Sequence, residues 1–78
     1  MHSLAVTQPG EGIRLERVSE TVEADTDTLI YLDRHGFRPG AVAEVRDRAP
    51  DGTLTVQVDG VTIAISPGLA EQLFVAST

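Results

Sequence analysis

The sequence contains no cysteine and no lysine, and its 78 residues include only two histidines, at positions 2 and 35. Without cysteine the chain can form neither a disulfide framework nor a thiolate metal site. Two histidines are too few for a metal centre built from histidine. No apolar run approaches the 18 or so residues of a membrane-spanning helix, and no basic start precedes an apolar stretch. We therefore expect a soluble, cytoplasmic protein without a membrane partner.

The chain has little positive charge. Twelve acidic residues face six basic ones, all of them arginine, and the formal net charge is −6. Binding to a phosphate backbone needs a basic surface, so this chain should be a poor DNA or RNA binder by itself. Ser19 and Ser66 have no neighbouring pair of a histidine and an acid, which leaves nucleophilic catalysis without a candidate. We expect a protein that is not an enzyme.

The length allows one small domain, which would bury only ~60% of the surface that its unfolded chain exposes. Alternation of apolar and polar residues, bounded by turn signals, predicts five strands. Their ranges are 12–18, 41–48, 53–59, 61–65 and 73–75. In the first of these the alternation slips near Arg17. Pro50-Asp51-Gly52 and Asp59-Gly60 have the composition of tight turns, the second favouring a primed hairpin.

One helix is predicted over residues 27–35. Asp25 or Thr26 can cap its N-terminus, because a side-chain oxygen there accepts from unpaired backbone N–H groups. Gly36 stands where a helix often ends in a left-handed residue. The helix would bury Leu29 and Leu32, with Ile30 partly covered. Residues 19–28 otherwise look like a polar loop, and 66–70 like a short helical turn.

These elements predict a mainly β fold, a small five-stranded SH3-like barrel with one short helix in the long loop after the first strand. Closing five strands on themselves buries a face that one hairpin could not bury alone. Residues 11–78 would form this domain. Residues 1–10 show little periodicity and end in a Pro-Gly turn signal, so we interpret them as a linker or an artificial start.

The aromatic residues and histidines have simple structural interpretations. His35 falls at the predicted helix end, where a protonated histidine interacts favourably with the helix dipole. His2 lies in the segment predicted to be unstructured. Phe37 and Phe74 are expected in the core. With Tyr31 they are the only aromatics, too few and too scattered for the aromatic groove that grips polyproline peptides.

Two stretches, VSETVEADTDTLIYLDRHGFRPGAVAEV and DGTLTVQVDGVTIAISPGLAEQLFV, carry a family resemblance. Roughly residues 11–76 resemble the C-terminal domain of the diphtheria toxin repressor/IdeR family of metal-dependent transcriptional repressors. FeoA proteins of ferrous-iron uptake share the same fold. The part that points to the repressors is the stretch SETVEAD, because FeoA proteins usually pass from the first strand to the helix through a shorter loop.

The resemblance implies a fragment of a larger protein, and with it a set of partners. In the family, a winged-helix domain contacts DNA and a helical domain supplies dimerisation and metal sites. The domain seen here comes third. This chain would then contact DNA only through the absent winged helix, dock on the preceding domains and contact their Pro-rich linker. The intact protein would be a homodimer activated by Fe²⁺ or Mn²⁺.

The resemblance also implies a partial metal site at Glu20 and Glu23. Repressors of the family have a Glu followed three residues later by a Gln, which complete an ancillary site with two His and a Glu of the preceding domains. Here a Glu replaces the Gln, and its added charge would favour Mn²⁺ over softer ions. The isolated domain is expected to bind no metal ion tightly. Without the family, the pair is a weak motif that is better interpreted as part of a solvated acidic loop.

A different class of protein fits the same residues. A free-standing FeoA-like interaction protein serving ferrous-iron transport would have a length near 78 residues and an initial Met, as here. The longer acidic loop at 19–28 argues against it. Sequence upstream of Ser3 would separate the two hypotheses.

Overall fold

The computed structural model describes all residues from 1 to 78 and contains one antiparallel sheet of six strands in the order β1-β6-β2-β3-β4-β5. The strands are β1 (His2–Ser3), β2 (Gly12–Val18), β3 (Val42–Arg48), β4 (Leu54–Val58), β5 (Val61–Ile65) and β6 (Leu73–Ser77). The helices are α1 (Glu20–Glu23), α2 (Thr26–Arg34) and α3 (Pro67–Ala70), with a 3₁₀ turn at Leu4–Val6. The predicted mainly β, SH3-like fold is confirmed, and a sixth strand is added to the five predicted.

Strands β3 to β5 form the meander that the alternation predicts. β4 buries every second residue, and Val56 is fully buried between its neighbours. Val58 pairs with Val61 across a two-residue turn, in which Asp59 and Gly60 have φ angles of 50° and 80°. Positive φ at both central positions defines a type I′ turn, which matches the twist of the flanking strands. This hairpin sets the register of β5 on β4.

The slip in the first strand is a β-bulge. β2 buries Ile13 and Leu15 completely, and its register against β6 shifts between Leu15 and Arg17. A bulge leaves one residue unpaired, so the following side chains change faces. Arg17 consequently points outward, and Val18 turns back toward the core with partial burial.

Part of the predicted linker is built into the sheet. β1 pairs with β6 through His2 and Ser3, and Leu4 is fully buried. Arg48 anchors the following residues by donating to the carbonyl oxygens of Ala5 (2.8 Å) and Thr7 (2.6 Å). The expectation that His2 lies in an unstructured segment is therefore wrong, because a two-residue strand and one buried leucine are too short to create a periodic signal. The domain boundary near residue 11 stays a prediction.

Helix α2 lies one residue ahead of its predicted range. Asp25 is its N-cap and accepts from the backbone N–H of Thr28 at 3.2 Å. Leu32 is buried, Leu29 is partly buried against the core, and Ile30 is 48% exposed. Gly36 follows the helix with a φ of 77°, as the left-handed position requires.

Sixteen apolar side chains form one core cluster between the sheet and the helices. Phe37 belongs to it, as predicted, whereas Phe74 is only partly buried. No buried side-chain nitrogen or oxygen lacks a hydrogen-bond partner. None of the helices has the length and apolar character needed to cross a membrane.

Candidate metal and docking surface

Glu20 and Glu23 lie on one short helix, α1, where the sequence alone predicts a loop. Ser19 caps this helix by accepting from the backbone N–H of Val22 at 3.2 Å. Val22 is 4% exposed and fixes α1 to the core. Residues three apart share a helix face, so the two glutamates are neighbours, and both are exposed.

Neither of these carboxylates has a bonding partner within the fold, and both lie in the first turn of α1. Neither Glu20 nor Glu23 has a side-chain hydrogen bond or an ion pair among those that the structure contains. Carboxylate oxygens are the ligands that hard divalent ions prefer, but such ions take about six. Nowhere do three or more His, Asp or Glu side chains come together as a metal site would need. Two carboxylates could therefore supply only a minor part of the coordination that such an ion takes.

The two glutamates border an open depression at the end of β2. Its other lining residues are Arg17, Val18, Ser19 and Phe74. The guanidinium carbon of Arg17 lies 5.1 Å from the centre of the Phe74 ring, a cation–π distance. A positive side chain and two negative ones thus surround the same space, and the β2 bulge and α1 bring them there.

The remaining acids of the segment 19–33 have structural tasks. Asp25 accepts from both the hydroxyl (2.7 Å) and the backbone N–H of Thr28, and these hydrogen bonds lower the pKa of the Asp25 carboxyl. Asp27 lies in the first turn of α2, where a negative charge suits the helix dipole. Asp33 forms an exposed ion pair with Arg38 at 3.4 Å. Asp27, Glu20 and Glu23 form no side-chain hydrogen bond or ion pair, and among them only the two glutamates border the depression.

His35 has a structural position as well. It is the C-cap of α2, as the sequence predicts, and its Nδ1 donates to the carbonyl oxygen of Tyr31 at 2.8 Å. The two rings are 4.8 Å apart. Tyr31 in turn donates its hydroxyl to the carbonyl oxygen of Ala64 at 2.9 Å and so ties α2 to strand β5.

A second, apolar groove was not predicted. It lies between the end of β2, helix α2 and the segment that follows this helix. Its lining residues are Val18, Leu29, Leu32, Asp33, Phe37, Arg38 and Pro39. Leu29 was predicted as a core residue, but it lines this groove and is only partly buried. No local signal in the sequence reveals the groove.

Comparison with known proteins gives one family and several similar structures. A family model described as the FeoA domain matches residues 2–77. A crystal structure of an iron uptake regulatory protein (FeoA) is 27% identical, with a TM-score of 0.78, and the match covers 99% of this chain and 96% of that one. The crystal structure of T. acidophilum IdeR is 28% identical, with a TM-score of 0.79 and coverage of 95% and 32%.

A manganese-dependent transcriptional repressor shares the fold at 23% identity, with a TM-score of 0.84 and coverage of 99% of this chain and 41% of that chain. No curated protein sequence gives a match. The chain therefore spans nearly all of a FeoA protein but less than half of these regulators. Both the free-standing proteins and the repressors contain this domain, and the similarity alone does not separate the two roles.

Proposed function

The chain belongs to the FeoA domain family, and from that premise we propose that it is the C-terminal regulatory domain of an iron- or manganese-dependent transcriptional repressor. In this role it is not an enzyme and does not contact DNA. It docks on the preceding domains of the same protein, with contacts to their Pro-rich linker, and leaves DNA to a winged-helix domain. We expect the intact repressor to be a cytoplasmic homodimer.

The observation that carries the proposal is the pair of glutamates on α1. Glu20 and Glu23 are exposed on one helix face, and neither carboxylate has a hydrogen bond or an ion pair within the fold. Glu20 matches the metal-ligand pattern of the repressors that the sequence resembles, and Glu23 stands where that pattern has a Gln. We assign them as two ligands of an ancillary site whose other ligands lie on the docked domains.

Linkage explains how such a site would regulate. Ligands on two domains can hold one ion only while the domains are docked, so a bound ion shifts the population toward docking. The divalent ion, Fe²⁺ or Mn²⁺, supplies the positive charge that joins carboxylates of both domains. With two ligands of about six, the domain alone should bind it weakly.

The charge of the surface agrees with this role. The segment 19–33 contains five acids and no base. A surface of this sign attracts a metal ion or a basic protein surface and repels a phosphate backbone. The proposal therefore places this face of the domain toward metal and protein.

The ligand assignment is tested in the protein that the whole reading frame encodes. We expect the double variant Glu20→Gln, Glu23→Gln to lose Mn²⁺ affinity by about tenfold or more at the ancillary site, since even outer-shell changes cost metal sites ~10–100-fold. Mn²⁺ titration followed by electron paramagnetic resonance measures this.

The matched control is Asp47→Asn with Asp59→Asn, which removes two carboxylate charges from exposed positions that do not line the depression. The control should leave Mn²⁺ binding nearly unchanged. Equal Mn²⁺ binding by the double glutamate variant and the unmutated protein would disprove the assignment.

A second function is favoured by one observation, the 96% coverage of a FeoA protein at 27% identity. On that alternative the chain is a free-standing FeoA-like interaction protein of ferrous-iron transport. The reading frame upstream of Ser3 separates the two. A winged-helix segment in frame supports the repressor, and a native start codon supports the free-standing protein.

A further inference from the structure

Arg17 is exposed only because strand β2 contains a bulge. Ile13 and Leu15 are both fully buried, so regular alternation would put residue 17 in the core as well. The register shift between Leu15 and Arg17 turns the side chain to the outside. Bulges commonly re-aim a side chain near a functional site, and here the re-aimed side chain is charged.

The guanidinium of Arg17 is held in place but has no polar partner. It lies over the ring of Phe74, its neighbour across the strand pair, and it makes none of the ion pairs or side-chain hydrogen bonds of the structure. Most of the other arginines are paired. Arg14, Arg38 and Arg46 bind carboxylates, and Arg48 binds two backbone carbonyl oxygens.

Arg17 shares its depression with both glutamates of α1, yet it bonds to neither. The depression has a volume of about 460 Å³, enough for a side chain of another domain. One positive and two negative side chains, Arg17, Glu20 and Glu23, therefore border one space and are all available to an incoming group.

We propose that Arg17 binds a carboxylate of the docking partner and positions that acid beside Glu20 and Glu23. This inference rests on the proposed function. A guanidinium offers a planar fork of donors that matches a carboxylate or a phosphate. The two glutamates repel a doubly charged phosphate more than a single carboxylate. A carboxylate is also a ligand type of the same hard ions, so one partner acid can contact both Arg17 and the metal.

The inference is tested by whether the loss of Arg17 strengthens or weakens Mn²⁺ binding. If Arg17 were only a positive neighbour of the site, its removal would lower the repulsion of a cation, and Mn²⁺ would bind a few-fold more tightly. If Arg17 positions a partner carboxylate, its removal weakens binding by about tenfold. We expect Arg17→Gln to weaken Mn²⁺ binding in the whole encoded protein and not in the isolated 78-residue domain.

Two further variants separate charge from packing. Arg17→Met keeps an aliphatic side chain over Phe74 and should weaken Mn²⁺ binding as Arg17→Gln does. Arg17→Lys keeps the charge without the fork and should restore part of the affinity. The control Arg34→Gln removes another arginine that forms no ion pair, at the end of α2, and should change little.

A second readout does not depend on the metal. Hydrogen–deuterium exchange over residues 17–24 in the metal-free whole protein should be faster in Arg17→Gln than in Arg34→Gln, because a docking contact is lost. Tighter Mn²⁺ binding by Arg17→Gln, with unchanged exchange, would overturn the role of Arg17. If Glu20→Gln, Glu23→Gln still weakens binding in that case, the proposed function survives and only this inference fails.

Discussion

The β3–β5 meander and the segment 17–34 use their residues in opposite ways. In the meander, buried side chains alternate with exposed ones, and Glu44 pairs with Arg46 at 2.6 Å on the outer face. In the segment 17–34, the side chains of Arg17, Glu20 and Glu23 are charged, exposed and unpaired. Most charged side chains of the meander have a partner within the fold, and only Asp47 and Asp59 have none. The other segment leaves groups available, which is what recognition requires.

The largest difference between the two regions should appear in core truncations. Ile63 of β5 is 1% exposed, and Ile63→Ala should cost about 2–5 kcal/mol because it leaves a cavity. Leu29 of α2 is only partly buried beside the apolar groove, so Leu29→Ala should cost less. Denaturant unfolding of the isolated domain measures both.

If Ile63→Ala does not fold, Ile63→Val should still lose about 0.5–1.5 kcal/mol. A cost for Leu29→Ala equal to that of Ile63→Ala would contradict the contrast, since it would make α2 as firmly packed as the sheet.

Most of the sheet could be predicted because its signals are local. Strict alternation from Leu54 to Val58 and the Asp59-Gly60 turn each have one good structural solution. Strand β1 and helix α1 could not be predicted, because two and four residues are too few for a period. Strand β1 forms by pairing with β6, and helix α1 is held to the core by Val22.

The candidate site was accessible to sequence reasoning only in part. Glu20 and Glu23 stood out only through a family resemblance, because their spacing alone fits a solvated loop better. Arg17 was recognisable as the place where alternation slips, but its position over Phe74 depends on the pairing of β2 with β6. That pairing joins residues more than fifty positions apart, which no local pattern reports.

A smaller effect should appear with pH, through one carboxyl in each region. Hydrogen bonds from Thr28 lower the pKa of Asp25 below 3.8, and those from Thr53 do the same for the pKa of Asp51. A lowered folded-state pKa stabilises the fold above the unfolded value, and this contribution disappears as the pH falls through the folded value. Asp25→Asn and Asp51→Asn should each be less stable than the unmutated protein at pH 7.

These differences should shrink as the pH falls below 3.8, the ordinary value of both carboxyls. Thermal unfolding of the three proteins between pH 7 and pH 2.5 measures this. Asn keeps the oxygen that accepts from the backbone N–H but not the one that accepts from the threonine hydroxyl, so each substitution removes the charge together with that hydrogen bond. A difference that stays constant over the whole range would exclude the charge as its source.

The smallest effect on stability is expected at Glu20 and Glu23, where the largest effect on function is proposed. This is where the segment 17–34 should differ most clearly from the meander. The double variant Glu20→Gln, Glu23→Gln removes two exposed carboxylates that form no hydrogen bond or ion pair, so its free energy of unfolding should stay within about 0.5 kcal/mol of that of the unmutated protein.

Ser19→Ala, one residue away from Glu20, removes the cap of α1 and should cost about 1 kcal/mol of stability. Urea unfolding measures the free energy of unfolding of both variants. A large loss in the double variant would mean that the glutamates hold α1 in place, and any change in metal binding could then be a consequence of a displaced helix. An unchanged stability would mean that any change in metal binding comes from the lost carboxylates and not from a displaced helix.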